Sequence, residues 1–239
     1  MIAWLSERPY DLVVIVILVG LLGCIVQRVR RGIANVDIFL AHVFVAFGLM
    51  CSLYPVYNFL DPLLGGHNIL NLFERLGIGV SMWLVTRALS TIFTALRREE
   101  KAPHCGSRGW LLVIVLGLIG SFIGMDAQWS SRGLDSYASR NPFYLLYQFF
   151  TILGFLVGAP YLVPRLWARY KRSVSRYLRW QSAAFIVGYV GSVISMVLYL
   201  LAWVSPVFVP SREIAVYVSI VAFIVAFFMV IKEKERRYF

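Results

Sequence analysis

Negative charge is scarce in this chain. Of 239 residues only 12 are Asp or Glu, against 23 Lys or Arg, and charged residues of both signs make up 15% of the whole. Each shortage excludes something. Apart from Glu74, near the start of one apolar stretch, carboxylates keep to the ends of these stretches or outside them. The acidic relay of a proton- or sodium-coupled carrier is therefore not visible at mid-depth. The cysteines are three, Cys24, Cys51 and Cys105, with no CxxC spacing and no disulfide framework. The histidines are also three, His42, His67 and His104, each in a different segment and none in an HExxH pattern. Neither a metal nor a cofactor is expected. The last apolar stretch lacks a mid-helix lysine, since Lys232 stands at its end. That rules out the Schiff base of a microbial-rhodopsin-like pump. No Ser–His or Cys–His pairing can be placed, so an enzyme is not expected, and no segment is long and polar enough for a separate soluble domain.

Apolar sequence is abundant: 60% of the residues are hydrophobic and the mean hydropathy is +0.75. Seven stretches stand out, at about 12–26, 38–57, 69–96, 110–125, 142–163, 180–204 and 213–231. Most reach the ~17–25 residues that cross a hydrocarbon core of ~30 Å. A soluble chain of this length with seven such segments would have no polar surface left for water. Lipid offers no partner to peptide groups and the runs do not alternate, so the segments are expected to be helices. The expectation is all-α: one polytopic seven-transmembrane-helix bundle spanning residues 1–239, multi-pass in a bacterial plasma (inner) membrane.

The cations set an orientation. One set of connections carries Arg28, Arg30 and Arg31, then Arg97, Arg98, Lys101 and Arg108, then Arg165, Arg169, Lys171, Arg172, Arg176 and Arg179, then Lys232, Lys234, Arg236 and Arg237. The opposite set has only Arg8, Arg132, Arg140 and Arg212. By the positive-inside rule the N-terminus lies outside and the C-terminus inside. Trp4, Tyr10, Trp110, Trp129, Trp167, Trp180 and Trp203 fall where interfacial aromatic belts belong. The net charge of +11 is spread over short connections, which argues against nucleic acid as a partner. The run from Arg165 to Arg179 contains no acid. It reads as a topology determinant touching anionic lipid headgroups, with an acidic cytoplasmic partner as the alternative. Leu21-Leu22-Gly23-Cys24 resembles a lipoprotein cleavage box, but the preceding residues carry only Arg8, and Arg28–Arg31 reads as stop-transfer. The first stretch is expected to stay in the membrane.

Small residues describe packing. Gly120-Ser-Phe-Ile-Gly124, Gly154-Phe-Leu-Val-Gly158 and the group Gly188, Gly191, Ser192 and Ser195 let helix backbones approach, within the bundle or across a homodimer seam. Pro55 and Pro160 are expected to kink the second and fifth helices.

Polar residues inside the apolar stretches are the functional pointers. Asp61 closes the second stretch, and Asn71, Glu74 and Arg75 open the third on one helical face. Asp126 ends the fourth, and Tyr144 and Gln148 open the fifth. Such an outer layer is either a small-molecule pocket or a hydrogen-bond network tying helix ends together. Arg87 lies ten residues before Arg97, about 15 Å along a helix, which places it near mid-membrane. Its candidate partners are Ser90, Thr91, Ser192, Ser195 and Tyr217, lipid phosphates reached by snorkelling, or a ligand anion. His42 is expected at a comparable depth.

The segment Val56-Tyr-Asn-Phe-Leu-Asp61-Pro-Leu-Leu-Gly65-Gly-His-Asn68 resembles the junction between helices two and three of an uncharacterised actinobacterial family of seven-helix membrane proteins. The run from Arg165 through Arg179-Trp180 to Gly188 is similar to the same family's fifth loop and sixth helix. The resemblance implies a transport or regulatory role. Many members carry a cytosolic domain after helix seven, so a separate output protein, cytoplasmic or in the membrane, is expected here. The family lends no catalytic residues. The reading is a sensor, receptor-like or accessory protein that binds a small ligand or a partner helix through the outer polar layer. A small-solute transporter is the alternative, and an intramembrane enzyme comes third.

Overall fold

The computed structural model describes residues 9–30, 32, 35–97, 104–126 and 141–236. Among them every regular element is helical: α1 (Pro9–Arg30), α2 (Val36–Ser52), α3 (Tyr54–Leu63), α4 (Ile69–Arg97), α5 (Arg108–Met125), α6 (Pro142–Arg172), α7 (Arg176–Val204) and α8 (Val209–Arg236), with short 3-10 turns at His104–Gly106 and Pro206–Phe208. Several sequence-read features lie outside the described residues, among them Trp4, Arg8, Arg98, Lys101, Trp129, Arg132 and Arg140. The chain has the helices of a membrane protein. Five of them (α1, α4, α5, α6 and α7) are long and apolar enough to cross a bilayer, and α2 with α3 makes a sixth if a broken pair counts as one span. Among its described residues α8 (Val209–Arg236) carries the apolar stretch Ile214–Ala226.

Helix ends follow local chemistry. Asp11 in the first turn of α1 and Arg28 and Arg30 in its last turn complement the helix dipole. Asn35 caps α2, its Oδ1 accepting from the Ile38 amide at 3.1 Å. The expected second span, Ile38–Tyr57, is not one helix. Pro55 has no N–H for the Cys51 carbonyl and its ring would strike that carbonyl, so the helix stops at Ser52. Leu53 is extended (φ −65°, ψ 130°), and α3 leaves at 83° to α2. The turn into α4 needs positive φ at Gly65 (101°) and Gly66 (71°), where glycine meets no Cβ penalty. The fifth span is longer than expected. It runs through Pro160 and Pro164 to Arg172, so most of the basic run is helix, and only residues 173–175 separate α6 from α7.

The chain divides into two compact units, Met1–Ser81 with Leu112–Thr151, and Met82–Leu111 with Ile152–Phe239. In the first, Val14, Leu18 and Leu21 recur on one face of α1 and pack on Ala46 and Leu49 of α2. The opposite face, with Val16, Val19 and Leu22, is exposed as a lipid-facing surface should be. α2 and α4 cross backbone to backbone: a Cβ on Gly77 would lie 2.7 Å from the Phe44 carbonyl oxygen, and one on Gly48 would lie 2.8 Å from that of Glu74. On α5, the space left by Gly124 takes the Phe143 ring, whereas a Cβ on Gly120 would meet nothing within 4 Å among the described residues.

In the second unit the small residues are all engaged. A Cβ on Gly154 would lie 2.8 Å from the Trp83 nitrogen, Gly158 faces Thr86, Gly188 faces the Phe223 ring and Gly191 faces Ser219. Phe155 and Phe223 stack with ring centroids 4.1 Å apart, and Tyr189 meets both rings edge-on. Thr86, fully buried, donates to the Gly154 carbonyl at 3.0 Å, so the Tyr189 hydroxyl donates to Thr86 Oγ1 at 3.1 Å. One hydroxyl thereby links α4, α6 and α7.

Candidate functional site

The polar residues of the first unit gather where α3, the start of α4 and the start of α6 meet. Tyr57 and Asp61 are four apart and share the buried face of α3, while Phe59 and Leu63 are exposed. Tyr57 Oη donates to Asn68 Oδ1 at 2.6 Å. Asp61 Oδ1 accepts from the Leu70 amide at 3.3 Å, one of the first-turn N–H groups of α4 that no helical carbonyl can satisfy. Asp11 serves the other break in the same manner, its Oδ1 accepting from the Tyr54 amide at the start of α3 at 3.4 Å. The Tyr147 hydroxyl faces both the backbone oxygen and Oδ1 of Asn71, at 3.0 and 3.1 Å, sharing one proton between them. Glu74, Arg75, Tyr57 and Tyr144 are among the ionisable groups that act electrostatically on Tyr147, and Glu74 also acts on Cys51.

Asn71, Glu74, Tyr144 and Gln148 are buried and Arg75 is half-buried. The shared face of α4 thus carries an amide, an acid and a base into the unit. The Gln148 side chain is 3% exposed, and Nε2 is buried with no hydrogen-bond partner among the described residues. A buried donor left unmade costs about 1–3 kcal/mol.

Asp126 and His42 are the other two candidates of the first unit. Asp126 is exposed at the end of α5, in a left-handed conformation with φ 48°. His42 turns back on its own helix, Nδ1 donating to the Ile38 carbonyl at 2.5 Å, with Arg28 as its electrostatic neighbour. Tyr57 and Asp11 were not singled out by sequence reasoning. Tyr57 was legible, because it sits one turn before Asp61. Asp11 was not, because its contact depends on where α3 begins.

Arg87 belongs to the second unit. The chain after α4 returns along that helix. Trp83 Nε1 donates to the Ser107 carbonyl at 3.1 Å, Cys105 Sγ lies 3.2 Å from Ser90 Oγ, and a Cβ on Gly106 would lie 3.2 Å from Arg87 Cα. The start of α5 is therefore level with Trp83, and Arg87 lies one turn further along α4. Counting inward from Arg97 ignores this return, so the geometry puts Arg87 at the Arg108 end of α5. Its guanidinium lies 5.2 Å from the Trp83 ring. Ser90, Thr91, Ser192 and Ser195 donate to carbonyls of their own helices. The Tyr217 side chain lies outside the described residues.

The basic run sits on both legs of the α6–α7 elbow. Arg165 is half-buried, its guanidinium carbon 3.5 Å from the Tyr161 ring centroid and Nη1 donating to the Tyr161 carbonyl at 3.1 Å. Arg169 is half-buried, while Lys171, Arg172, Arg176 and Arg179 are exposed. Arg179 Nε donates to the Ser173 carbonyl at 2.7 Å and so braces the elbow.

Among the described residues no group of three or more His, Cys, Asp or Glu is placed to hold a metal ion. Comparison with protein-family models, with curated proteins and with solved structures finds no match for this chain.

Proposed function

We propose that this membrane protein is a non-enzymatic sensor or accessory subunit that recognises a small polar ligand, or a polar patch on a partner helix, through the cluster around Gln148, Asn71, Glu74 and Arg75. The observation that carries the reading is the Gln148 amide, a buried donor without a partner among the described residues, in a cluster where Tyr57, Asp61 and Tyr147 have theirs. An amide in that state favours a ligand bearing an acceptor, such as a carboxylate or carbonyl. In this reading the chain crosses a bacterial inner membrane seven times, N-terminus outside, with α2 and α3 as one broken crossing and α8 as the last. The seventeen-to-four bias of its connecting cations supports that orientation. Output passes to a separate protein or to a second copy of the chain.

The test is thermal unfolding of the purified chain with free amino acids and simple carboxylates as probes. Saturation at a hundredfold excess over Kd stabilises by about 2.7 kcal/mol. A probe that raises the midpoint of the native chain but not of Gln148→Met supports the reading. A set of probes that shifts neither overturns it. Transport is the second reading, favoured by the 83° break between α2 and α3, because carriers often build substrate sites from discontinuous helices. Solute uptake into proteoliposomes decides for it.

A further inference from the structure

We infer that the α6–α7 elbow is a binding site for anionic phospholipid headgroups, made by Lys171, Arg172, Arg176 and Arg179 between the indoles of Trp167 and Trp180. This site is independent of the polar cluster. All four cations are exposed, and between Arg165 and Arg179 there is no carboxylate to neutralise them. Arg165 is not counted, since it is half-buried with its guanidinium against Tyr161.

The elbow is a formed structure. Ser175 Oγ accepts from the Leu178 amide at 3.5 Å, capping α7, and the Arg179–Ser173 bond spans the connection. Trp167 stacks on Tyr170 with centroids 5.4 Å apart and holds Lys171 Nζ 5.1 Å from its ring. Cations at the end of α6 are favoured by that helix's negative pole, and the start of α7 adds a positive pole beside Arg176.

Lipid, rather than a soluble anion, follows from what flanks the cations. Trp167 is 49% and Trp180 58% exposed, and exposed indoles settle at headgroup level. Both legs continue directly into helices long and apolar enough to cross a bilayer, so the cations are held at phosphate depth. At the tip Val174 is 95% exposed and adds no competing charge.

The experiment uses the full chain in detergent, with fluorescent phosphatidylglycerol titrated against phosphatidylcholine. Phosphatidylglycerol should bind in preference. Each cation removed should weaken that binding about fivefold, so Lys171→Gln/Arg172→Gln/Arg176→Gln should lose roughly a hundredfold and Arg176→Gln alone about fivefold. Arg108→Gln, exposed at the start of α5, should stay within about twofold of the native chain. Circular dichroism checks that the triple variant is folded, and the single variant carries the test if it is not. An undiminished preference for phosphatidylglycerol in the variants overturns the proposal. Displacement of the lipid by millimolar inorganic phosphate would assign the site to a free anion instead. Binding of polyglutamate, lost in the triple variant, with no phosphatidylglycerol preference would assign it to an acidic protein.

Discussion

Replacing Gln148 by methionine should stabilise the ligand-free protein. The side chain is 3% exposed, and its Nε2 has no partner among the described residues. In the unfolded-in-membrane reference the same amide finds partners, so the folded state alone carries the deficit, about 1–3 kcal/mol for an unmade buried donor. Methionine conserves volume and carries no such donor, and volume-conserving swaps cost less than about 1.5 kcal/mol in repacking. The net expectation is a gain of about 1 kcal/mol. At roughly 2–4 °C per kcal/mol for a chain of this size, the midpoint should rise by about 2–4 °C. Thr151→Val is the control. Thr151 lies nearly one turn later on α6, is equally buried, and its hydroxyl donates to the Tyr147 carbonyl at 2.8 Å, so the same gain in apolarity removes a made bond. That variant should be neutral or lower by about 0.5 kcal/mol. The assay is tryptophan fluorescence during heating in detergent. If Gln148→Met lowers the midpoint by about 3 °C or more, the amide is bonded in the folded protein and the premise fails.

Three other outcomes test the architecture. Gly77→Leu should destabilise by about 3 kcal/mol or more, because even a Cβ there would lie 2.7 Å from the backbone oxygen of Phe44, and Gly120→Leu should be close to neutral; unfolding midpoints decide. Thr86→Val should cost about 1–3 kcal/mol by removing two interhelical bonds and leaving the Tyr189 hydroxyl without a partner, while Thr86→Ser should recover most of it. In a background without Cys24, Cys51 and Cys105, Leu63→Cys should react with an impermeant maleimide added to intact cells. Val174→Cys should react only after lysis, and the reverse pattern would invert the proposed orientation.

Apolar length alone located most helices. The expected 69–96 and 110–125 differ by one or two residues from α4 (Ile69–Arg97) and α5 (Arg108–Met125). Two features were not legible because they depend on distant residues. Pro55 announces a break, but its 83° angle places Tyr54 beside Asp11, 43 residues earlier in the chain. The return of residues 104–107 along α4 depends on Trp83 and on Gly106 lying against Arg87, and no spacing encodes it. The apolar stretch ends at about residue 163, where the charges begin, which makes the basic run look like a connection. Pro164 removes only one helical bond, and Leu166, Trp167 and Ala168 carry the helix onward. In the polar layer, the shared face of Asn71, Glu74 and Arg75 followed from helical periodicity. Which of its groups would be spoken for did not, since that depends on Tyr147 arriving from α6.

Asp11, Asp61 and Glu74 divide by what they do. Asp11 and Asp61 each meet an amide at a helix start, so the broken crossing itself accounts for them. Removing either should act on folding, because a start left uncapped in a water-poor setting leaves amides unmade. Glu74 is the sixth residue of α4, beyond the four N–H groups that a helix start leaves open, so no cap explains it. It lies on the face of Asn71 and Arg75, near Tyr147 and Cys51. In the proposed reading the cluster therefore has an architectural rim at Asp61 and Tyr57 and a recognition centre at Glu74, Arg75 and Gln148. Substitutions at the rim should move the midpoint with or without a probe. Those at the centre should move chiefly the shift that a probe produces.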